Sequence, residues 1–164
     1  MTRKEISENE PVDARFLNKS YQEAMALTQD VAHYFEEQYA QPHNHRAEAG
    51  DEIFYASESL RISSCLMHVM SWFLVQKGVA AGEITKEEAG TPKMRLGAKK
   101  ICLVDVDPTK GNLPTALMHF LEKSQNLYRQ VARMDRMVYG EIEDMDANPV
   151  HQLMDRLQKN DRLD

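Results

Sequence analysis

Three long stretches of the sequence place apolar residues alternately three and four positions apart. This spacing keeps one face of an α-helix apolar over many turns, so each stretch predicts an amphipathic helix that packs against a partner. The predicted helices cover about 13–39, 51–82 and 114–139. Together they predict an all-α fold, an antiparallel three-helix bundle that occupies residues 13–139.

Residues that usually begin or stop a helix lie at the ends of these stretches. Pro42 follows the first stretch, and a proline cannot continue a helix. Asp51 is expected to cap the start of the second stretch, and Gly82 is expected to close it. Pro114 suits the first turn of the third stretch, which Gly140 closes.

The second predicted helix is apolar on most of its circumference. One row contains Ile53, Ala56, Leu60, Ser63, Met67, Met70 and Leu74, and a second row contains Tyr55, Ile62, Leu66, Val69, Phe73 and Ala80. Phe54, Cys65, Trp72 and Val79 add apolar area on a third side. A helix in a three-helix bundle has two neighbours, so a helix that is apolar on three sides has surface left for another molecule. We therefore expect a homodimer held through this helix. The residues assigned to its interface are Ile62, Val69, Trp72 and Phe73.

A linker of about thirty residues separates the second and third predicted helices. Thr85 and Glu88 have the spacing of a capping box, which predicts one short helix over Lys86–Ala89. The run from Ile101 to Val106 is strand-like, but no second strand is predicted to pair with it. We expect an extended linker that packs on the bundle and covers part of the second helix.

The C-terminal segment 140–164 has a different composition. It contains seven acidic and three basic side chains, a net charge of −4, and we expect it to be a flexible, disordered tail. Within it an apolar stripe has the helical spacing i, i+3, i+4, i+7, which predicts a short helix that orders on a partner or occupies a client site on its own bundle. The stripe consists of Val150, Leu153, Met154 and Leu157. Residues 1–12 are interpreted as an N-terminal extension.

The composition excludes several classes of partner. A net charge of −6 argues against nucleic acid, because phosphate binding requires a positive surface. No apolar run is long enough to span a bilayer, and the N-terminus has no apolar secretory region. Cys65 and Cys102 have no metal-type spacing, and two free thiols fit a reducing compartment. We therefore expect a cytoplasmic protein.

Three pairs of side chains resemble parts of metal sites. His43 and His45 have no further ligand to complete a zinc site. Asp30 and His33 have the i, i+3 spacing of a di-iron ligand pair, but the chain contains no Glu-x-x-His to complement it. The sequence around Asp105–Asp107 begins like a calcium loop, but its glycine and closing glutamate are misplaced, which favours a turn. We expect no metal, no cofactor, no catalytic residue and no enzymatic activity.

His119 raises an alternative function. It lies in the helical segment LMHFLEKS, which is faintly similar to a histidine phosphotransfer site. Such a site has a lysine three residues after the histidine and then a glycine. Here Glu122 occupies the lysine position and the glycine is absent. A phosphotransfer-like or receiver-docking bundle is therefore the alternative to a protein-binding module.

Four segments carry a family resemblance. They are RFLNKSYQEAMALTQDVAHYF (15–35), SESLRISSCLMHVMSWFLVQKGVAAGEIT (57–85), RLGAKKICL (95–103) and SQNLYRQVARMDRMV (124–138). In order and spacing they resemble the bacterial family of regulators of CtrA degradation, the RcdA family. The resemblance implies a homodimeric three-helix bundle with a flexible C-terminal tail.

The resemblance also implies a function. It implies an adaptor for the ClpXP protease in cell-cycle proteolysis, with no catalytic residue. Such an adaptor joins a ClpX complex that the receiver-like protein CpdR has primed. It then presents client proteins, including the transcription factor CtrA. We interpret the chain as a protein-binding adaptor of this kind.

Overall fold

The computed structural model describes residues 14–40 and 49–140. Its helices are α1 (Ala14–Ala40), α2 (Ala49–Ala80), α3 (Lys86–Ala89), α4 (Lys99–Cys102) and α5 (Thr115–Tyr139), with a 3-10 helix at Pro108–Lys110. Within these two ranges all regular secondary structure is helical, so the predicted all-α class is confirmed. The N-terminal extension, the loop that contains His43 and His45, and the segment 141–164 lie outside the described residues.

The ends of the long helices agree with the predictions except at the start of α2. Helices α1 and α5 begin and end within one residue of the predicted positions. Helix α2 begins at Ala49, so Asp51 lies inside the first turn instead of capping it. Gly82 and Gly140 follow α2 and α5 with φ angles of +75° and +78°, a conformation that glycine adopts without steric cost.

Helices α2 and α5 run in the same direction. At one end of the pair, the Asp51 carboxylate accepts a hydrogen bond from the Asn112 backbone N–H at 2.9 Å. At the other end, the Tyr139 hydroxyl lies 3.0 Å from Oε1 of Gln76. The N-terminal ends therefore lie together, and so do the C-terminal ends. The predicted antiparallel three-helix bundle is wrong for this consecutive pair of long helices, because the linker 81–114 returns the chain to the start of α2.

Helix α1 is antiparallel to both other long helices. Its N-terminal half meets the end of α2, where the rings of Tyr21 and Phe73 are 6.1 Å apart. Its C-terminal half meets the start of α5, where the rings of Tyr34 and Phe120 are 5.4 Å apart. Each long helix thus contacts the other two.

The core lies between the three long helices. Its largest fully buried side chains include Trp72, Phe73, Ile62 and Val69 from α2 and Tyr128, Leu117, Leu121 and Val131 from α5. Helix α1 contributes Leu17, Ala24 and Val31, which are spaced seven residues apart and therefore share one face. The small Ala24 side chain at the middle of this row fits a close approach between helices.

The segment between α2 and α5 contacts both of these helices and does not contain a strand. The capping box of Thr85 and Glu88 is present, and α3 follows it. The strand-like run from Ile101 to Val106 is instead the end of α4 followed by irregular chain. No neighbouring strand exists within the described residues to supply hydrogen bonds, so a short helical turn satisfies the backbone locally.

Side chains from α2 and α5 hold the linker in place. The Tyr128 hydroxyl donates to the Gly97 carbonyl at 2.6 Å. Burial raises the pKa of Tyr128 to about 12, so the phenol remains protonated and able to donate near neutral pH. The Val104 carbonyl accepts a hydrogen bond from Gln125 at 2.8 Å and another from the buried guanidinium of Arg61.

Candidate partner-binding surface

A row of large apolar side chains on α2 is exposed to solvent. The row consists of Ile53, Leu60, Met67 and Leu74, which are 73%, 71%, 65% and 57% exposed. Their spacing of seven residues is close to two helical turns, so they lie on one face of α2. We call these four residues the heptad row. It forms part of the first apolar row that the sequence indicated on this helix.

An open apolar groove between α1 and α2 borders the heptad row. Its volume is about 500 Å³. The groove is lined by Thr28, Val31, Ala32 and Phe35 from α1 and by Ser63, Leu66, Met67, Met70, Ser71 and Leu74 from α2. Two of its three hydroxyl groups bond to their own helix: Thr28 donates to the Ala24 carbonyl at 2.8 Å and Ser63 to the Ser59 carbonyl at 3.0 Å. The groove therefore suits apolar side chains of another polypeptide better than a polar small molecule.

The residues that the sequence assigned to the dimer interface lie elsewhere. Ile62, Val69, Trp72 and Phe73 are each at most 1% exposed within a single chain. Their side chains have no surface left for a second copy, so this assignment is corrected. The sequence indicated two apolar rows on α2, and only the packing of α1, α5 and the linker decides which row is buried.

The two cysteines form a disulfide in the structure, which corrects the prediction of two free thiols. Cys65 in the middle of α2 is bonded to Cys102 at the end of α4, across 37 positions of sequence. The Cα atoms are 5.4 Å apart, and both side chains are buried. The spacing of the two residues in sequence gave no indication of this contact, because the irregular linker determines where Cys102 lies.

A buried polar network joins α2, α5 and the linker, and sequence reasoning did not predict it. The Asp135 carboxylate accepts a hydrogen bond from the Trp72 indole at 2.8 Å and two from the Arg95 guanidinium at 2.8 and 3.1 Å. Arg95 also donates to the Gly140 carbonyl at 2.6 Å. The side chains of Arg95 and Asp135 are each 5% exposed. The charge of Arg95 is therefore paired in the interior.

The other candidate chemical groups lie on the surface. His33 forms an i, i+4 pair with Glu37 at 3.2 Å, and both side chains are mostly exposed. His119 is exposed on α5 beside Phe120. Asp107 accepts hydrogen bonds from Thr109, which lower its pKa and cap the 3-10 helix, so the predicted turn is present.

Three further sequence expectations concern metals, membranes and the tail. Within 14–40 and 49–140, no three His, Cys, Asp or Glu side chains are grouped as metal ligands. No helix in the same part of the chain is long and apolar enough to cross a membrane. The stripe of Val150, Leu153, Met154 and Leu157 lies outside the described residues.

Comparison with known proteins places the chain in a family. Residues 8–160 match the family model DUF1465, described as a protein of unknown function. The chain belongs to this family. It is also similar to the crystal structure of RcdA from Caulobacter crescentus CB15, with 31% identity and a TM-score of 0.57. The match covers 77% of this chain and 92% of RcdA. No curated protein matched the sequence.

Proposed function

We propose that this protein is a non-enzymatic, cytoplasmic adaptor that presents client proteins to a ClpXP protease primed by a CpdR-type protein. The observation that carries the proposal is the similarity to RcdA over 77% of the chain. The segments that resemble the RcdA family lie in α1, α2, the linker and α5, so they include all the elements that surround the core. An adaptor requires surfaces for other proteins and no reaction centre.

The heptad row supports a role in protein binding. From Ile53 to Leu74 it extends about 31 Å along α2, at a rise of 1.5 Å per residue. Exposed apolar strips of this size mark interaction sites more often than free surface. The adjoining groove adds apolar area from α1, including Val31 and Phe35.

We propose that a second copy of the chain covers the heptad row and forms a homodimer. A row with a period of seven residues can pack on its own copy across a two-fold axis, since each apolar residue meets an equivalent one. This proposal keeps the predicted dimer and moves its interface to the exposed side of α2.

We propose that clients contact the C-terminal stripe. Val150, Leu153, Met154 and Leu157 would pack as one face of a short helix in a groove of the partner. Each buried Leu contributes roughly 1.5–3 kcal/mol before the cost of ordering is subtracted. The resulting affinity is modest, which suits an adaptor that must release its client.

A reconstituted degradation assay tests the function. Client degradation by ClpX, ClpP and a CpdR-type protein is measured with and without this protein. We expect the intact chain to accelerate degradation and the double substitution Leu153→Ser/Leu157→Ser to reduce the acceleration by about tenfold or more. The matched control, Ile142→Ser/Met145→Ser, removes two apolar tail residues outside the stripe and should leave the rate unchanged.

Two results would contradict the proposal. If the intact chain accelerates the degradation of no client at saturating concentration, the adaptor function is wrong. If the control lowers the rate of client degradation as much as the stripe variant does, the rate depends on the apolar content of the tail and not on the stripe.

A further inference from the structure

We propose that the acidic C-terminal segment 141–157 docks on the basic surface of the linker of its own chain. The docking surface, which we call the linker patch, is formed by the exposed residues Lys93, Met94, Lys99, Ile101 and Val104. The proposal does not depend on the adaptor function, because both partners belong to this chain.

The first argument is charge complementarity. Residues 89–104 contain four basic side chains and no acidic one. Residues 141–155 contain five acidic side chains and no lysine or arginine. Opposite charges held on one chain attract each other at a high effective concentration, so even weak attraction favours contact.

The second argument is that both cations of the linker patch are available. Lys93 and Lys99 are exposed, and neither forms an ion pair with any residue of 14–40 or 49–140. Arg95 differs from them, because Asp135 already neutralises it in the interior. An incoming acidic segment would therefore meet Lys93 and Lys99 without breaking an existing salt bridge.

The third argument is where the segment leaves the fold. The Gly140 carbonyl accepts a hydrogen bond from Arg95 at 2.6 Å, and the Tyr139 ring packs beside Gly90 and the Arg95 guanidinium. Residue 141 therefore starts at the linker. Glu141 follows Gly140 directly, and Glu143 and Asp144 come soon after it. A short length of chain therefore joins these carboxylates to the contact between Gly140 and Arg95, and Arg95 is two positions from Lys93.

The fourth argument is that the chain after Gly140 is long enough to bring the apolar stripe to the apolar residues of the linker patch. Val104 lies beside Arg61 of α2, whereas Tyr139 lies beside Gln76, so Tyr139 and Val104 are about 22 Å apart along α2 at 1.5 Å per residue. The nine residues 141–149 span up to about 30 Å when extended. The stripe that begins at Val150 can therefore reach Ile101 and Val104, which are each 52% exposed.

Lysine footprinting tests the docking on the full chain. Acetylation rates of Lys93 and Lys99 are measured by mass spectrometry in the wild type and in Glu143→Lys/Asp144→Lys. At about 20 mM salt we expect the acetylation rate of both lysines to be lower in the wild type than in the variant by a factor of about three or more. At about 500 mM salt this difference should disappear. Lys123, exposed on α5, is the internal control and should react equally in both proteins.

A second measurement tests the same contact through the protection of the C-terminal segment from proteolysis. Tryptic cleavage after Arg156 should be several-fold faster in Lys93→Gln/Lys99→Gln than in the wild type, because the variant loses the charges that hold the segment. Equal acetylation rates together with equal cleavage rates would overturn the proposal. Protection that increases with protein concentration would also overturn it, because the segment of a second copy would then occupy the linker patch.

Discussion

The indole Nε1 of Trp72 on α2 lies 2.8 Å from a carboxylate oxygen of Asp135 on α5, and both side chains are buried. The other carboxylate oxygen accepts two hydrogen bonds from the guanidinium of Arg95 in the linker. One carboxylate thus joins the three segments that meet at the C-terminal end of the parallel helix pair. Since a buried charge is tolerated only when its partners are present, this network specifies how the linker and α5 sit on α2.

We expect Asp135→Ala to lower the free energy of unfolding by about 3–5 kcal/mol. The substitution leaves the Arg95 charge and the Trp72 N–H buried without their acceptor. Urea denaturation followed by circular dichroism measures the change. The control Asp30→Ala removes an exposed carboxylate from α1 and should stay within about 0.5 kcal/mol of the wild type. A similarly small change for Asp135→Ala would show that the network does not stabilise the fold.

Reduction of the disulfide should destabilise the protein by about 2–4 kcal/mol. The bond closes a loop across 37 positions, and breaking it returns conformational freedom to the unfolded chain. Urea denaturation of the wild type with and without a dithiol reductant measures the difference, and intact mass without reductant establishes the bond. In Cys65→Ala/Cys102→Ala the reductant should have no effect. A wild type that is equally stable in both conditions would rule out a stabilising role for the bond.

The double substitution Leu60→Glu/Met67→Glu should shift the protein from dimer to monomer while its helical spectrum is retained. Both side chains are exposed in one chain, so only a contact with a second copy is lost. Analytical ultracentrifugation gives the mass and circular dichroism the fold. Met137→Glu replaces a residue that is 83% exposed on α5 and serves as the matched control. A dimer that survives the double substitution would place the interface elsewhere.

Trp72→Glu should unfold the protein instead of separating two copies. The side chain is 1% exposed in a single chain, and a carboxylate there would be buried beside the Asp135 carboxylate, to which the Trp72 indole now donates. Loss of the cooperative thermal transition is the expected observation. A folded monomer would instead restore the interface that the sequence suggested.

His119 should not accept phosphate, which would exclude the phosphotransfer alternative. The lysine and glycine that such a site requires are displaced or missing around it. Incubation with a phosphorylated receiver domain and radioactive label tests this expectation. Acid-labile label on the wild type that is absent from His119→Gln would support the alternative instead.

The positions of the helices follow from the sequence, because the signals that form a helix are local. The alternating spacing of three and four located α1, α2 and α5, and Pro114 and Gly140 marked the ends of α5 through backbone geometry alone. The capping box of Thr85 and Glu88 likewise predicted α3, since both partners lie within one turn. The same pattern contained the apolar row that is exposed on α2, but it did not indicate which of the two rows on this helix is buried.

The arrangement of these helices depends on contacts between residues far apart in the sequence. An apolar row reads the same in either chain direction, so the parallel pairing of α2 and α5 depended on the path of the linker. That path also brought Cys102 to Cys65 and Arg95 to Asp135, contacts between residues 37 and 40 positions apart. No local spacing encodes such contacts, because they arise when irregular chain fills the surface that α1 and α5 leave open on α2. The same packing buried Trp72 and left Leu60 exposed on one helix.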